Sequence, residues 1–399
     1  MDGYDLDEAA ERSGLSVAEL SRFVDLGVIR PHADQRFTPG DLRRAAMVNS
    51  LVVSGVPLDA LAGAIRDGAL SFDFLDAPAF ERFSSHSLRT FAELAEESGV
   101  PLELLMFVRE ASGSVPPSPD DRMREEELPY VAWISGALEG GFRPAVVRQM
   151  IRAESDGLRR IAETEAITWQ SEIIEPATRR GMRADEALGF EYGDRMANLT
   201  EQAVIAMYHL QQARAWSAGI IEGVEHLLAA AGIHNRLEHP PAMCFLDITG
   251  YTRLTQERGD AAAAELAEEL GRVVRQASVH HGGRPVKWLG DGVMVHFPNP
   301  ASGVVSALEM VEAIVGAGLP PAHVGLHAGP VIFQEGDYYG QTVNLASRIA
   351  DYAQAGEVIV SQSVVDAAGG APIAFRGVGP VELKGVAGAM ELYAAVRSG

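Results

Sequence analysis

At Pro241 the hydrophobic pattern of this 399-residue chain changes period, and that change limits the fold more than any other feature. Before it, apolar residues recur every three or four positions, the spacing of one helix face. After it, short apolar runs of strand length alternate with helical stretches. The chain is too long for one ordinary domain. Two patterns in series call for two kinds of core, an all-α region followed by an α+β domain.

Within the first part, residues 1–70 read as short amphipathic helices. A Pro- and Ser-rich break begins at Ser112, where a helix cannot continue. Helical periodicity resumes near Leu128 and fills the rest of a region assigned to 71–232. It closes in a long helix over about 198–231, where Val204, Met207, Leu210, Ile220, Val224, Leu227 and Leu228 recur at helical spacing. Residues 233–241 form a linker, and a second domain spans 242–399. Its pattern predicts a strand at Met243–Ile248 and a helix at Ala261–Ser278. A hairpin follows, Arg284–Leu289 and Val293–Phe297, turning at Gly-Asp-Gly. Next come a helix at Ser302–Val315, a strand pair at Val324–His327 and Val331–Gln334, a helix at Thr342–Tyr352 and a strand at Val358–Ser361. Three short strands are expected at the C-terminus. The β-α-β-β-α-β order predicts a ferredoxin-like sheet with helices on one face.

Composition narrows the function classes. The formal net charge of −22 opposes non-specific binding to nucleic acid or anionic lipid, which needs a basic surface. A single cysteine, Cys244, excludes an internal disulfide framework and a cysteine-rich metal site. No stretch is apolar for the roughly 20 residues that a membrane span requires, and the N-terminus lacks a signal-peptide pattern. The expected location is the cytoplasm.

Two carboxylates stand where packing does not ask for them. Asp247 ends an apolar strand, and Asp291 sits in the Gly-Asp-Gly turn. Alone, the first is readable as a helix cap and the second as turn chemistry. If the strand lies beside the hairpin, both carboxylates emerge at one sheet edge. Paired hard oxygen ligands completed by phosphates are what Mg²⁺ requires. Asn344 and Arg348 lie four apart on a predicted helix, so they project from one side.

The segments Phe245-Leu-Asp-Ile-Thr-Gly-Tyr-Thr, Val286-Lys-Trp-Leu-Gly-Asp-Gly-Val-Met, Gly325-Leu-His-Ala-Gly-Pro-Val, Tyr339-Gly-Gln-Thr-Val-Asn-Leu-Ala-Ser-Arg and Val381-Glu-Leu-Lys-Gly occur in this order. Together they resemble the class III nucleotide cyclase catalytic domain, over about 160 residues from Ala242 to the C-terminus. The resemblance implies that Asp247, Asp291 and the carbonyl of Ile248 hold two divalent cations per site, Mg²⁺ or Mn²⁺. It implies that Asn344 orients the ribose, that Arg348 stabilises charge at the α-phosphate and that Lys384 grips the outer phosphates. Lys287 and Asp337 match the base-reading positions. Lysine only donates and ionised aspartate only accepts, which fits the N1 acceptor and amine donor of adenine rather than guanine. The family builds each site from two subunits. A chain carrying the full set therefore implies a homodimer making cyclic AMP and pyrophosphate from ATP. Guanylyl cyclase is the nearest rival activity. A non-catalytic regulator with a cyclase-like dimerisation domain is the rival from another class.

Residues 7–67 resemble a MerR-like helix-turn-helix, through Ala10-Glu-Arg-Ser-Gly-Leu-Ser, Gly27-Val-Ile-Arg-Pro, Arg36-Phe-Thr-Pro-Gly-Asp-Leu and Gly55-Val-Pro-Leu. Residues 1–70 carry 11 acidic and seven basic side chains, a poor footprint for DNA. Arg22 on the would-be recognition helix is flanked by Glu19 and Asp25. A regulatory or protein-contact role is favoured over DNA binding. The overall plan is similar to two-domain actinobacterial adenylyl cyclases, with the long helix as transmission element. The candidate signals are a proton, through His209, His226, His234 and His239, and a small apolar ligand enclosed by the helical half.

Overall fold

The computed structural model describes residues 3–32, 34–77, 80, 86–188, 191–233, 240–251, 256–257, 259–334, 336–368 and 373–398. Two compact units divide between Glu222 and Gly223. The division falls inside the longest helix rather than in the expected linker, most of which (234–239, with His234 and His239) lies outside the described residues.

The first unit opens with helices α1 (Leu6–Ser13), α2 (Val17–Asp25), α3 (Pro39–Val53) and α4 (Leu58–Arg66). Their boundaries follow from capping. Asp5 accepts from the Glu8 N–H at the start of α1, and Gly14, at φ 73°, ends it. Ser16 with Glu19, and Thr38 with Asp41, form capping boxes for α2 and α3. Leu20, Phe23, Ile29, Phe37, Leu42 and Val48 form the core of this module.

Helices α5 (Phe91–Ser98), α6 (Leu102–Ala111), α7 (Pro129–Glu139) and α8 (Pro144–Trp169) follow. α6 stops just before the Ser112 break. The helical region also holds a short antiparallel ribbon, β1 (His86–Thr90) with β2 (Arg122–Arg124). These strands are short and mostly polar, so they leave no period-two signal. A buried ion pair helps to fix them. Arg109 donates to Glu127 from Nε (2.8 Å) and Nη2 (2.6 Å), and Nη2 also donates to the carbonyl of Arg122.

A π-helical turn, Gln170–Ile174, joins α8 to α9 (Glu175–Arg179) just ahead of Pro176, whose ring and missing N–H disrupt a regular helix. Then come α10 (Ala184–Leu188) and the 40-residue α11 (Glu191–Ala230). Apolar side chains occur around α11 rather than along one stripe. Met207, Leu210, Trp216, Ile220 and Leu227 are all more than half exposed.

The second unit is a seven-stranded sheet in the order β10-β11-β9-β6-β3-β5-β4. Its strands are β3 (Ala242–Ile248), β4 (Arg284–Leu289), β5 (Gly292–Phe297), β6 (Ala322–Ala328), β9 (Val358–Ser361), β10 (Ile373–Glu382) and β11 (Ala389–Arg397). Helix α12 (Asp260–His280) joins β3 to β4, and α13 (Pro300–Gly316) joins β5 to β6. The four strands they connect lie β6-β3-β5-β4, as the split β-α-β pattern predicts. Cys244, Leu246, Val273, Val274, Met310 and Ile314 share one core, so both crossover helices cover a single face.

Three expectations are corrected. Helices do not occupy one face only, because α14 (Gln341–Tyr352) packs on the other, through Ala346 against Met243 and Met294 and through Ile349 against Ile359. Val331–Gln334 does not pair with Val324–His327, because both edges of β6 are already taken by β3 and β9. The observed strand β7 (Ile332–Gln334) instead pairs with β8 (Asp337–Tyr339) as a separate ribbon. The C-terminus has two long strands rather than three short ones. A register shift between Gly377 and Gly379 looks like a break in the sequence but is a bulge within β10. The short helix α15 (Gln362–Ala367) completes the unit.

No helix is long and apolar enough to cross a membrane among the described residues. Burial holds the imidazoles of His86, His296 and His327 below their ordinary value. The unfolded chain therefore takes up protons near pH 6.5 that the folded chain refuses. Stability is full above that pH and declines as it falls toward 4. Urea midpoints should hold between pH 7.5 and about 6.5 and drop from there to pH 4.5, and a series flat throughout contradicts this.

Candidate active site

The site is built on the sheet face opposite the crossover helices. Side chains alternate along β3, so Ala242, Cys244, Leu246 and Ile248 enter the core beneath α12 and α13, leaving Met243, Phe245 and Asp247 on the other side. Register carries that side across the sheet. Phe245 pairs with Met294, and Met294 pairs with Lys287. Asp247 and Lys287 thus open on the same face, the one that α14 shares.

Helix α14 lies close to the sheet because residue 325 has no side chain. A Cβ on Gly325 would stand 2.1 Å from the backbone nitrogen of Ala350. The inner side of α14 carries Leu345, Ala346 and Ile349. Asn344 and Arg348 are on its exposed side, one turn apart. Arg348 Nη1 donates to Asp351 at 2.9 Å, an exposed pair that contributes little stability.

Asp291 occupies the β4–β5 turn, after Gly290 at φ 74°. It lies close enough to Asp247 to act on it. Burial first, then the Asp291 charge, raise the Asp247 carboxyl above its usual range, and Asp351 adds to the shift. His323 and the N–H of Ile248 act the other way. His323 faces Asp247 across the β3–β6 ladder, with Nε2 3.8 Å from Oδ2.

Lys287 Nζ forms an ion pair with Asp337, whose other oxygen accepts from the Tyr338 N–H at 2.8 Å. Lys384 is exposed in the connection between β10 and β11. The fold therefore brings together three pairs, Asp247 with Asp291, Lys287 with Asp337, and Asn344 with Arg348. Among the described residues no hydrogen bond or ion pair joins the two carboxylates to the other five polar side chains. Sequence reasoning passed over His323 and Asp351. Asp351 was within reach as the i+3 neighbour of Arg348. His323 depends on a strand register that no local pattern encodes.

Residues 237–396 match the family described as adenylate and guanylate cyclase catalytic domain. The C-terminal part of the chain is a class III nucleotide cyclase catalytic domain. The chain is 27% identical over 315 residues to a pH-sensitive adenylate cyclase of Mycobacterium tuberculosis, covering 75% of this chain and 76% of that one. An adenylate cyclase of Streptomyces coelicolor is 26% identical over 276 residues, covering 69% and 70%. Among solved structures, the adenylyl cyclase CyaB of P. aeruginosa is 23% identical over 40% of this chain and 95% of its own, at a TM-score of 0.37.

Catalytic domains of this class generally use divalent metal ions. The residues present fit such an ion. Two carboxylates repel one another at a partly buried sheet edge, and nearby Gly292 leaves open a position where a Cβ would stand 3.0 Å from Asp247 Oδ1. Among the described residues no group of three or more metal-type side chains occurs.

Proposed function

We propose that the chain is an adenylyl cyclase that converts ATP to 3′,5′-cyclic AMP and pyrophosphate. The observation that carries the reading is the Lys287–Asp337 pair, a donor and an acceptor set side by side on the sheet face that holds the carboxylates. Against adenine, Lys287 donates to N1 and Asp337 accepts from the exocyclic amine; guanine reverses both demands. The matching relatives that bear the name adenylate cyclase support the same choice.

Asp247, Asp291 and the Ile248 carbonyl hold two divalent cations, Mg²⁺ or Mn²⁺. When bound, these supply activation of the ribose 3′-hydroxyl and neutralisation of phosphate charge. Asn344 orients the ribose so that its 3′-oxygen faces the α-phosphorus. The bond from O3′ to the α-phosphorus forms and the bond to the bridging oxygen of the β-phosphate breaks. The hydroxyl proton leaves to solvent and pyrophosphate departs. Arg348 stabilises the charge that grows on the α-phosphate, for which it must swing from Asp351. Lys384 grips the outer phosphates.

Each site forms between two copies of the chain in a homodimer. Asp247 and Asp291 of one protomer face Lys287, Asp337, Asn344 and Arg348 of its partner. The uncovered apolar surface of α11 supports this. ATP as substrate places the reaction in the cytoplasm. The first unit controls it, with a proton or a small apolar ligand as the signal. Its first four helices act as a contact module rather than a DNA reader, in keeping with their acidic balance.

Purified protein with Mn²⁺ or Mg²⁺, offered ATP and GTP separately, tests the proposal. Cyclic AMP from ATP, at least tenfold faster than any product from GTP, is expected. No cyclic product from either nucleotide overturns it.

A further inference from the structure

Among the described residues, the β7–β8 ribbon that carries Asp337 shares no backbone ladder with the main sheet. Two three-residue strands are marginal by themselves, so side chains must fix where Asp337 stands. Two cross-strand pairs meet there face to face. On the ribbon, Phe333 pairs with Tyr338, their ring centroids 5.0 Å apart. On the sheet, Arg284 pairs with His296.

The rings of His296 and Tyr338 stack almost parallel, 4.4 Å between centroids at 3°. Arg284 Nη2 donates to Tyr338 Oη at 3.0 Å, and its guanidinium lies 5.4 Å from the centre of the Phe333 ring and 5.6 Å from that of Tyr338. One residue along the ribbon and three along β4, Lys287 meets Asp337.

We propose that Arg284, His296, Phe333 and Tyr338 form a clamp that sets the ribbon-to-sheet spacing, and through it the choice of adenine over guanine. They are positioning residues. None of them needs to touch the nucleotide. This rests on the adenylyl cyclase reading, since Lys287 and Asp337 matter to base choice only there. The physical case is that a donor and an acceptor discriminate two bases only when both reach one edge together. A ribbon free to shift by an ångström leaves Lys287 in place and removes Asp337 from it. Discrimination built on hydrogen bonds collapses when one partner is displaced. Burial and the Arg284 charge push the His296 imidazole down to about 4. The ring is therefore uncharged at assay pH, and it lies flat on Tyr338 without repelling the guanidinium.

The test reads the ATP-to-GTP ratio of kcat/KM in full-length enzyme, a quantity independent of how much enzyme is correctly folded. His296→Ala should lower the ratio about tenfold, mainly through a higher KM for ATP. His296→Phe, which keeps a flat ring on Tyr338, should restore most of it. If His296→Ala does not fold, exposed Arg284→Gln decides by the same ratio. Wild-type enzyme making cyclic AMP with a ratio unchanged across these variants overturns the clamp alone. Wild-type enzyme making no cyclic product overturns the adenylyl cyclase reading and the clamp with it.

Discussion

Two inactive variants, Asp291→Ala and Lys287→Ala, are expected to regain activity when mixed. On the shared-site proposal, Asp291→Ala alone removes a cation ligand from both sites of the dimer, and a loss of roughly 10³-fold in kcat follows from the several kcal/mol that metal assistance provides. Lys287→Ala leaves Asp337 to face the adenine amine without its donor partner. In a mixed dimer, one site receives both damaged residues and the other receives neither. Random exchange makes about half the dimers mixed, each with one intact site of two, so recovery should reach about a quarter of the wild-type rate. Differently tagged variants, with dimer exchange confirmed by co-purification, provide the measurement. Exchange without recovery would place all the residues of a site in one chain and sink the shared-site proposal.

The elements of the catalytic domain were legible because each is local. A short apolar run marks β3, helical spacing marks α12 and α13, and Gly-Asp-Gly marks the β4–β5 turn. What was not legible depends on neighbours. The Val331–Gln334 segment has a strand-like composition, but its partner is decided by which edges of β6 are free. The bulge at Gly377 and Gly379 breaks the period of β10 without ending the strand. Residues that look alike in sequence also part company. Asn344 and Arg348 were found because four residues on a helix is a short-range fact. His323 meets Asp247 only through a ladder between strands 74 residues apart, and ladder register is a tertiary property. The polar β1–β2 ribbon had no pattern at all, since its placement depends on the buried Arg109–Glu127 pair.

Gly325→Ala is expected to cost more activity than stability. The added Cβ would stand 2.1 Å from the Ala350 nitrogen and 2.6 Å from the Ala350 Cα and the Ile349 carbonyl carbon. All three are backbone atoms, so no rotamer change relieves the clash, and α14 must lift from β6 as a body. Overpacking of this kind costs about 1–3 kcal/mol, a fall in Tm of roughly 2–12 °C at the 2–4 °C per kcal/mol usual for a unit of this size. The same movement carries Asn344 and Arg348 away from the positions in which they are proposed to meet the ribose and α-phosphate. Misplacement by about an ångström is worth roughly 10²-fold in rate. Assays run well below the Tm separate the two effects, because folded but displaced enzyme remains slow there. Gly316→Ala provides the control. It lies at the end of α13 with nothing within 4 Å of its added Cβ, and alanine is the better helix former. Tm and rate should both hold in that variant. Wild-type Tm and rate in Gly325→Ala would show that α14 does not depend on the missing side chain. The placement of Asn344 and Arg348 would then need another cause.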